Sequence, residues 1–328
     1  MKVVIIGGAG YIGSHVVLDA AERGYDITVF DDLSTGCIEN INENVEFIHG
    51  STLCNSDLSK LFKAKKYDAV VHLAASKAAG ESILEPARYA RNNIIGGQNV
   101  INACSDYDVK IIIFSSSAAV YGLPQYKQID EYHPLNPTNY YGQTKLHIEE
   151  SLKWFSKLKA IKYASLRYFN AAGYDLKKRV KSLEINPQNL IPKVMEVAIG
   201  RGTQVAVYGN NYNTKDGTGV RDYIHVSDLA KAHIDPINYI SNNKENLTIN
   251  LGNETGYSVL DVINKSSEVS KKRIEHIIEE RREGDIDSLI ANTGLAKKLI
   301  NWKPRYSDLD TIINSTWEIY KIRKSLYK

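Results

Sequence analysis

The sequence predicts a doubly wound, mostly parallel α/β sheet, and three observations carry that expectation: short β-branched and apolar runs, helix-length segments between them, and a glycine-rich turn straight after the first run. The runs are KVVIIGG from residue 2, DITVFD from 26, VEFIHG from 45, DAVVHLA from 68 and KIIIFSSS from 110. Runs apolar on both faces suit strands covered by helices on both sides, and a parallel neighbour can be reached only through a long crossover. Ligands of such sheets bind outside the carboxyl ends of the strands. The first places for a site are therefore the run ends: GGAGYIG, Asp31-Asp32, Ser51, Leu73-Ala74-Ala75 and Ser115-Ser116-Ser117. After about residue 170 asparagine, glycine and lysine become frequent and strands look sparse, which reads as a second, smaller lobe over 170–328 following a first domain over 1–169. That boundary is soft, because RYF at 167 and NLTINLG at 246 look like strands able to return to the first sheet.

Composition narrows the function classes. A chain of 328 residues, 43% hydrophobic, can bury a sizeable core. Its 41 basic and 38 acidic residues leave a net charge of +3, with basic pairs set among glutamates, which argues against nucleic acid as a partner. Cys37, Cys54 and Cys104 are scattered, and the eight histidines show no ligand spacing, so neither a disulfide framework nor a metal is expected. MKVVIIGG breaks into glycines without a cleavage region, and no stretch approaches the ~20 apolar residues of a membrane helix, so the expected setting is the cytoplasm, without a membrane partner. Trp154 and Trp302 read as packing residues.

Gly7, Gly10 and Gly13 lie between the first strand and the helical pattern SHVVLDAAERG. The first permits a tight turn, the second lets a pyrophosphate approach the backbone, and the third lets helix pack on strand, while the helix N-terminus favours an anion. Asp31 ends the second strand about 20 residues on, where an acid can bind ribose hydroxyls and disfavours a 2′-phosphate, so NAD is expected over NADP. In NYYGQTK, Lys145 stands about 40° around a helix from Tyr141 and about 140° from Tyr140, so Tyr141 shares its face. A free phenol with pKa ~10 is a poor base. An ammonium and a cationic nicotinamide beside it would both favour the phenolate, which makes Tyr141 the candidate acid/base and Lys145 its partner.

Taken together, GGAGYIG with Asp31, VVHLAASKAAGES (70–82), SSSAAVYG (115–122), YGQTK (141–145), LRYFNAAG (166–173), DGTGVRDYIHVSDLA (216–230) and RREGD (281–285) resemble the extended short-chain dehydrogenases, and among them the UDP-glucose 4-epimerases, from residue 1 to about Trp317. The resemblance implies a Rossmann-like domain, a smaller α/β substrate lobe, a retained NAD, and reversible epimerisation of UDP-galactose and UDP-glucose at carbon 4 through a 4-keto sugar, as in galactose metabolism. It implies Tyr141 as base, Lys145 as its partner and Ser117 on the sugar oxygen. Gly7, Gly10, Tyr11, Ile12, Gly13, Asp31, Asp32, Leu73, Ala74, Ala75, Asn92 and Ser115 would line the NAD site, with Tyr168 and Phe169 flanking the nicotinamide and Lys77 reaching cofactor and substrate. Asn170, Asn189, Leu190, Arg221, Arg282 and Asp285 would hold UDP, and Leu289 would meet the carbon-2 substituent. Arginine suits a pyrophosphate because its fork donates in a plane. A homodimer through helices around 90–104 and 141–155 is also implied.

Three positions qualify the resemblance. Ser51 stands where relatives carry an Asp that helps hold the adenine, and Ala119 where many carry a threonine on the sugar. Ala118 and Ala119 also replace the acid/base pair of 4,6-dehydratases and have no protons to move. Leu289 is intermediate between small residues that admit N-acetylated sugars and the tyrosine that excludes them, which keeps a UDP-N-acetylglucosamine or UDP-glucuronate 4-epimerase as the alternative. A non-catalytic NAD sensor on the same fold is the reading from another class.

Overall fold

The apolar runs become strands where expected: β1 (Lys2–Ile6), β2 (Asp26–Asp31), β3 (Glu46–His49), β4 (Ala69–His72) and β5 (Ile111–Ser115). They are followed by β6 (Gln128–Ile129), β7 (Lys162–Tyr168), β8 (Asn170–Ala172), β9 (Val205–Tyr208), β10 (Val220–His225), β11 (Leu247–Leu251), β12 (Gly256–Ser258), β13 (His276–Glu279) and β14 (Ser288–Ala291). The computed structural model describes residues 1–184, 187–282 and 284–324.

Seven strands form one parallel sheet in the order β11-β7-β5-β4-β1-β2-β3. Both extra runs, RYF and NLTINLG, thus join the first sheet as β7 and β11. The chain winds outward from β1 in two directions, and the switch between β1 and β4 opens the crevice where ligands of such sheets bind. Alternation along β1 sends Val3 and Ile5 into one buried layer, with Val16 of the helix Tyr11–Glu22 and Leu229 of the helix Val226–Asn243. Val4 and Ile6 enter the opposite layer, with Leu61, Val100 and Ile148 of the helices Asn55–Ala64, Gly96–Asp106 and Tyr140–Lys159. The edge strand β3 departs from the expectation of burial on both faces, since none of its residues is fully buried.

Beyond residue 170 the chain holds more strand than its texture suggests. A small sheet runs β12-β10-β14-β6 with β8 also on β10, and β13 pairs with β9. These strands span two to six residues, too short to register as apolar runs. Buried Asp222 of β10 secures this sheet by accepting backbone N–H bonds from Asn253 (2.8 Å), Glu254 (3.0 Å) and Ala291 (3.2 Å). Trp302 is a packing residue as expected, its Nε1 donating to the Gly252 carbonyl at 3.1 Å. Trp154 is not: it is 59% exposed on the outer face of its helix, with Lys157 Nζ 5.1 Å from its ring. Among the described residues no helix is long and apolar enough to cross a membrane.

Candidate active site

The turn after β1 is shaped for a group that must approach the backbone. Gly7 has φ +84°, and a Cβ there would stand 2.6 Å from the Ala74 nitrogen after β4. At Gly13 a Cβ would come 2.1 Å from the Gly7 carbonyl oxygen, so helix and strand close up only over glycine. Gly10 caps the helix Tyr11–Glu22, whose first amides, at Tyr11, Ile12 and Gly13, open onto the crevice end of the sheet. Asp31 braces this turn, accepting from Ala9 N at 2.9 Å and Leu33 N at 2.8 Å, and burial pushes its carboxyl upward in pKa. Asp32 beside it is exposed and accepts from Ser34 N at 3.0 Å, with the Ser51 hydroxyl 3.5 Å away. A backbone cradle that any side chain would fill, a helix N-terminus and an acid at the end of β2 fit a dinucleotide.

Across the switch point, the helix Tyr140–Lys159 starts because the Asn139 side chain accepts from Gly142 N at 2.9 Å. That start sets Tyr141 and Lys145 on the buried face, beside the end of β5. Lys145 Nζ donates to the Ser115 carbonyl at 2.8 Å and lies 5.7 Å from the Tyr141 ring centroid and 5.0 Å from that of Phe114. The Ser117 side chain faces the Tyr141 phenol. Burial pushes the phenol well above its ordinary pKa, partly offset by Ser117, and pulls Lys145 down to about 7 against the pull of Glu149. Burial and the neighbouring phenols of Tyr168 and Tyr89 thus work against the phenolate at Tyr141, and positive charge beside it works in its favour.

The remaining residues expected on the cofactor side gather at the same strand ends. Leu73, Ala74 and Ala75 follow β4, the first two donating backbone N–H to the Ile6 carbonyl at 2.9 and 3.1 Å. Asn92 donates to Ser76 Oγ at 3.0 Å. Lys77 forms an ion pair with Glu184 and stands 5.8 Å over the Tyr11 ring, while Tyr11 donates to the Gly173 carbonyl at 2.5 Å. Ser115 Oγ donates to the Tyr168 hydroxyl at 3.0 Å, and Phe169 turns the other way into a cluster with Tyr121 and partly buried Leu289.

The nucleotide-side residues come from separate segments. Arg221 is ion-paired with Asp285, which also accepts from the Tyr212 hydroxyl at 3.1 Å, and Leu289 sits opposite Arg221 in the β10–β14 register. Arg282 lies with its guanidinium 3.7 Å from the Tyr208 ring centroid, and Arg281 does the same on Tyr212. Asn170 is in β8, in register with Tyr223. Asn189 and Leu190 lie at the N-terminus of the helix Leu190–Ala198, which packs in one cluster with Ala172 of β8 and Tyr223 of β10.

Sequence reasoning missed several residues at this site. Buried Asn93, not its neighbour Asn92, ties Ser76 to Thr144 by bonds of 2.8 to 3.0 Å. Glu149, Arg167 and Ser116 form a buried polar group behind Lys145. Glu149 could have been found, since it lies four residues beyond Lys145 on the same face; Arg167 arrives from a distant strand and gives no local signal.

Known proteins share this fold. Residues 3–252 match the NAD dependent epimerase/dehydratase family. A UDP-glucose 4-epimerase of Halalkalibacterium halodurans is 40% identical over 321 residues, covering 98% of this chain and 96% of its own. The crystal structure of a UDP-glucose 4-epimerase from Brucella ovis in complex with NAD superposes with a TM-score of 0.95 at 38% identity, covering 97% of this chain and 98% of its own. One from Bifidobacterium longum in complex with NAD+ and UDP gives a TM-score of 0.92 at 34% identity, covering 98% of each chain.

Proposed function

We propose, from the premise that the chain belongs to the NAD dependent epimerase/dehydratase family, that it interconverts UDP-galactose and UDP-glucose at carbon 4 with a tightly held NAD. The observation that carries the reading is the placing of Tyr141, Lys145 and Ser117 at the end of β5, beside a glycine cradle that fits a dinucleotide. Gly7, Gly10 and Gly13 would hold the pyrophosphate and Asp31 a ribose, which favours NAD over NADP. NAD supplies a hydride acceptor that later becomes the donor, so the reaction needs no net oxidant.

The chain's own residues move the proton and hold the sugar. Tyr141 accepts the 4-hydroxyl proton and Ser117 fixes that oxygen while carbon 4 gives up its hydride to the acceptor; the 4-keto sugar then turns, and Tyr141 returns the proton to the same oxygen as the hydride comes back to the other face of carbon 4. Lys145, held by Ser115, presents the positive charge that favours phenolate. Arg221 and Arg282 would take the pyrophosphate and Asp285 the uridine ribose, giving up their present partners in exchange. Leu289, partly buried against the cluster that contains Phe169, is intermediate in size between residues that admit an N-acetyl group and the tyrosine that excludes it, which supports the non-acetylated sugars as the main pair.

A cytoplasmic homodimer is part of the proposal. Trp154 within 141–155 and Ile95 within 90–104 are exposed apolar residues on the segments expected to pair, exposed Leu158 lies just beyond the first of them, and all three cysteines are free. Sedimentation of the parent and of Trp154→Ala tests the dimer. For the reaction, the purified protein is incubated with UDP-galactose and no added cofactor, with Tyr141→Phe alongside. Formation of UDP-glucose by the parent alone supports the reading. Failure of the parent even with added NAD refutes it.

A further inference from the structure

Behind the pair of Tyr141 and Lys145 lies a group of charges to which the reaction above assigns no role. Tyr141, Lys145 and Glu149 recur every four residues on one helix face, and all three are buried. Glu149 accepts from the Ser116 hydroxyl at 2.5 Å and from both Nε (3.0 Å) and Nη2 (2.6 Å) of Arg167. Arg167 passes the contact on, donating to the Tyr121 hydroxyl at 3.1 Å, which donates to Asn250 Oδ1 at 2.6 Å. An ion pair this deep costs desolvation that its own attraction does not reliably repay, so a role beyond stability is the better reason for it.

Its geometry gives that role. Ser116 lies between Ser115, whose carbonyl holds the Lys145 ammonium, and Ser117, whose side chain faces the phenol. One buried carboxylate therefore fixes the strand end that supplies both partners. Among the described residues, the groups that face Lys145 are Glu149 from its own helix, the neutral rings of His72 from β4 and His233 from the helix Val226–Asn243, and the phenol of Tyr141, which Tyr168 in turn adjoins. We propose that Glu149 is a positioning residue for the epimerisation, which anchors the end of β5 through Ser116 and, one helical turn from Lys145 on the same buried face, supplies negative charge that favours its ammonium form. Arg167 offsets the carboxylate and fixes its orientation. This rests on the reading of Tyr141 as the base.

The test uses the protein with its retained NAD. Glu149→Gln is expected to lower kcat at neutral pH about tenfold with KM for UDP-galactose unchanged, and to move the acid limb of the kcat–pH profile up by about one unit, because a less charged Lys145 favours the phenolate less. The Tyr141 midpoint, read as the ultraviolet phenolate absorbance of each protein minus that of its Tyr141→Phe counterpart, is expected to rise by the same amount. Ser116→Ala keeps the ion pair and removes the anchor: kcat should fall while the phenolate midpoint holds. A folded, NAD-retaining Glu149→Gln with the parent's rate and midpoint overturns the proposal. If that variant does not fold, a Ser116→Ala protein with the parent's kcat overturns the anchor. A parent inactive on UDP-galactose defeats the reaction assigned above, and the phenolate midpoint still decides the role of Glu149.

Discussion

Around Tyr141 and Lys145 the polar groups are buried and tied to the fold, whereas around Arg221 and Arg282 they are open to solvent and tied to one another. Lys145 donates to a backbone carbonyl and Glu149 is held by Arg167, both nearly inaccessible to water. Arg221 and Asp285 are partly exposed and ion-paired, and the exposed Arg282 rests on the face of Tyr208. The first region meets its desolvation cost on folding, so its groups are already placed for the chemistry. The second keeps contacts that cost little to exchange, since exposed ion pairs contribute little to stability. Changes in the first should therefore appear in kcat, and changes in the second in KM.

The largest expected effect is at Tyr141. Tyr141→Phe should lower kcat by about a thousandfold while KM for UDP-galactose stays near the parent's, because the phenol, on the proposed reaction, moves the proton and contributes little to binding. A variant retaining a tenth of the parent's rate would place the base elsewhere and remove the contrast. Next is Arg221→Met, expected to raise KM about a hundredfold with kcat within about threefold, as the loss of charge-assisted bonds to a pyrophosphate predicts. Should kcat fall with it in proportion, the nucleotide side also acts in the transition state.

A third effect is on stability. Burial holds Lys145 at about 7, below its ordinary value of 10.5. Between those values the unfolded chain binds a proton that the folded chain does not, so the parent's stability rises with pH across that window. Lys145→Met removes this titration and should be the more stable protein at neutral pH by up to about 4 kcal/mol, less whatever its bond to the Ser115 carbonyl contributes, the difference fading toward pH 10. Denaturant midpoints over that range, at saturating NAD, measure it. Arg221→Met should leave the slope unchanged, and a lysine variant that does the same would show that Lys145 is not strained by burial.

The same contrast decides what was legible in the sequence. The buried region lies on one helix and the ends of successive strands, so spacing exposes Tyr141 with Lys145, and apolar runs locate Gly7, Asp31 and Ser115 as strand ends. The nucleotide side is assembled from β8, β10, β14 and the helix Leu190–Ala198, which only the tertiary fold brings near one another. Without a family resemblance Arg221 and Arg282 read as surface charges. Trp154 misled for a related reason: a large apolar side chain says nothing of which side of its helix faces outward. Arg167, in the mixed strand KYASLRY, gave no periodic sign of its partner on another element.

The smallest expected effect sharpens the comparison, because Ser51 lies at the solvated rim of the otherwise buried cofactor side. Ser51→Asp would replace a neutral hydroxyl by a carboxylate able to accept from the adenine side of NAD, a gain of about 1 kcal/mol. Its surroundings oppose that gain: the Ser51 hydroxyl is 3.5 Å from an Asp32 oxygen, and its backbone N–H donates to Asp57 at 3.2 Å. Two like charges about 4 Å apart in water repel by about 1 kcal/mol, and salt screens exposed charges of this kind. The attraction is short-ranged and directional and the repulsion is not, so NAD should be held about threefold more tightly at about 0.5 M salt, with the gain shrinking as salt is withdrawn. NAD retention on dialysis at the two ionic strengths measures both. Unchanged or poorer retention at high salt would mean that position 51 does not meet the adenine.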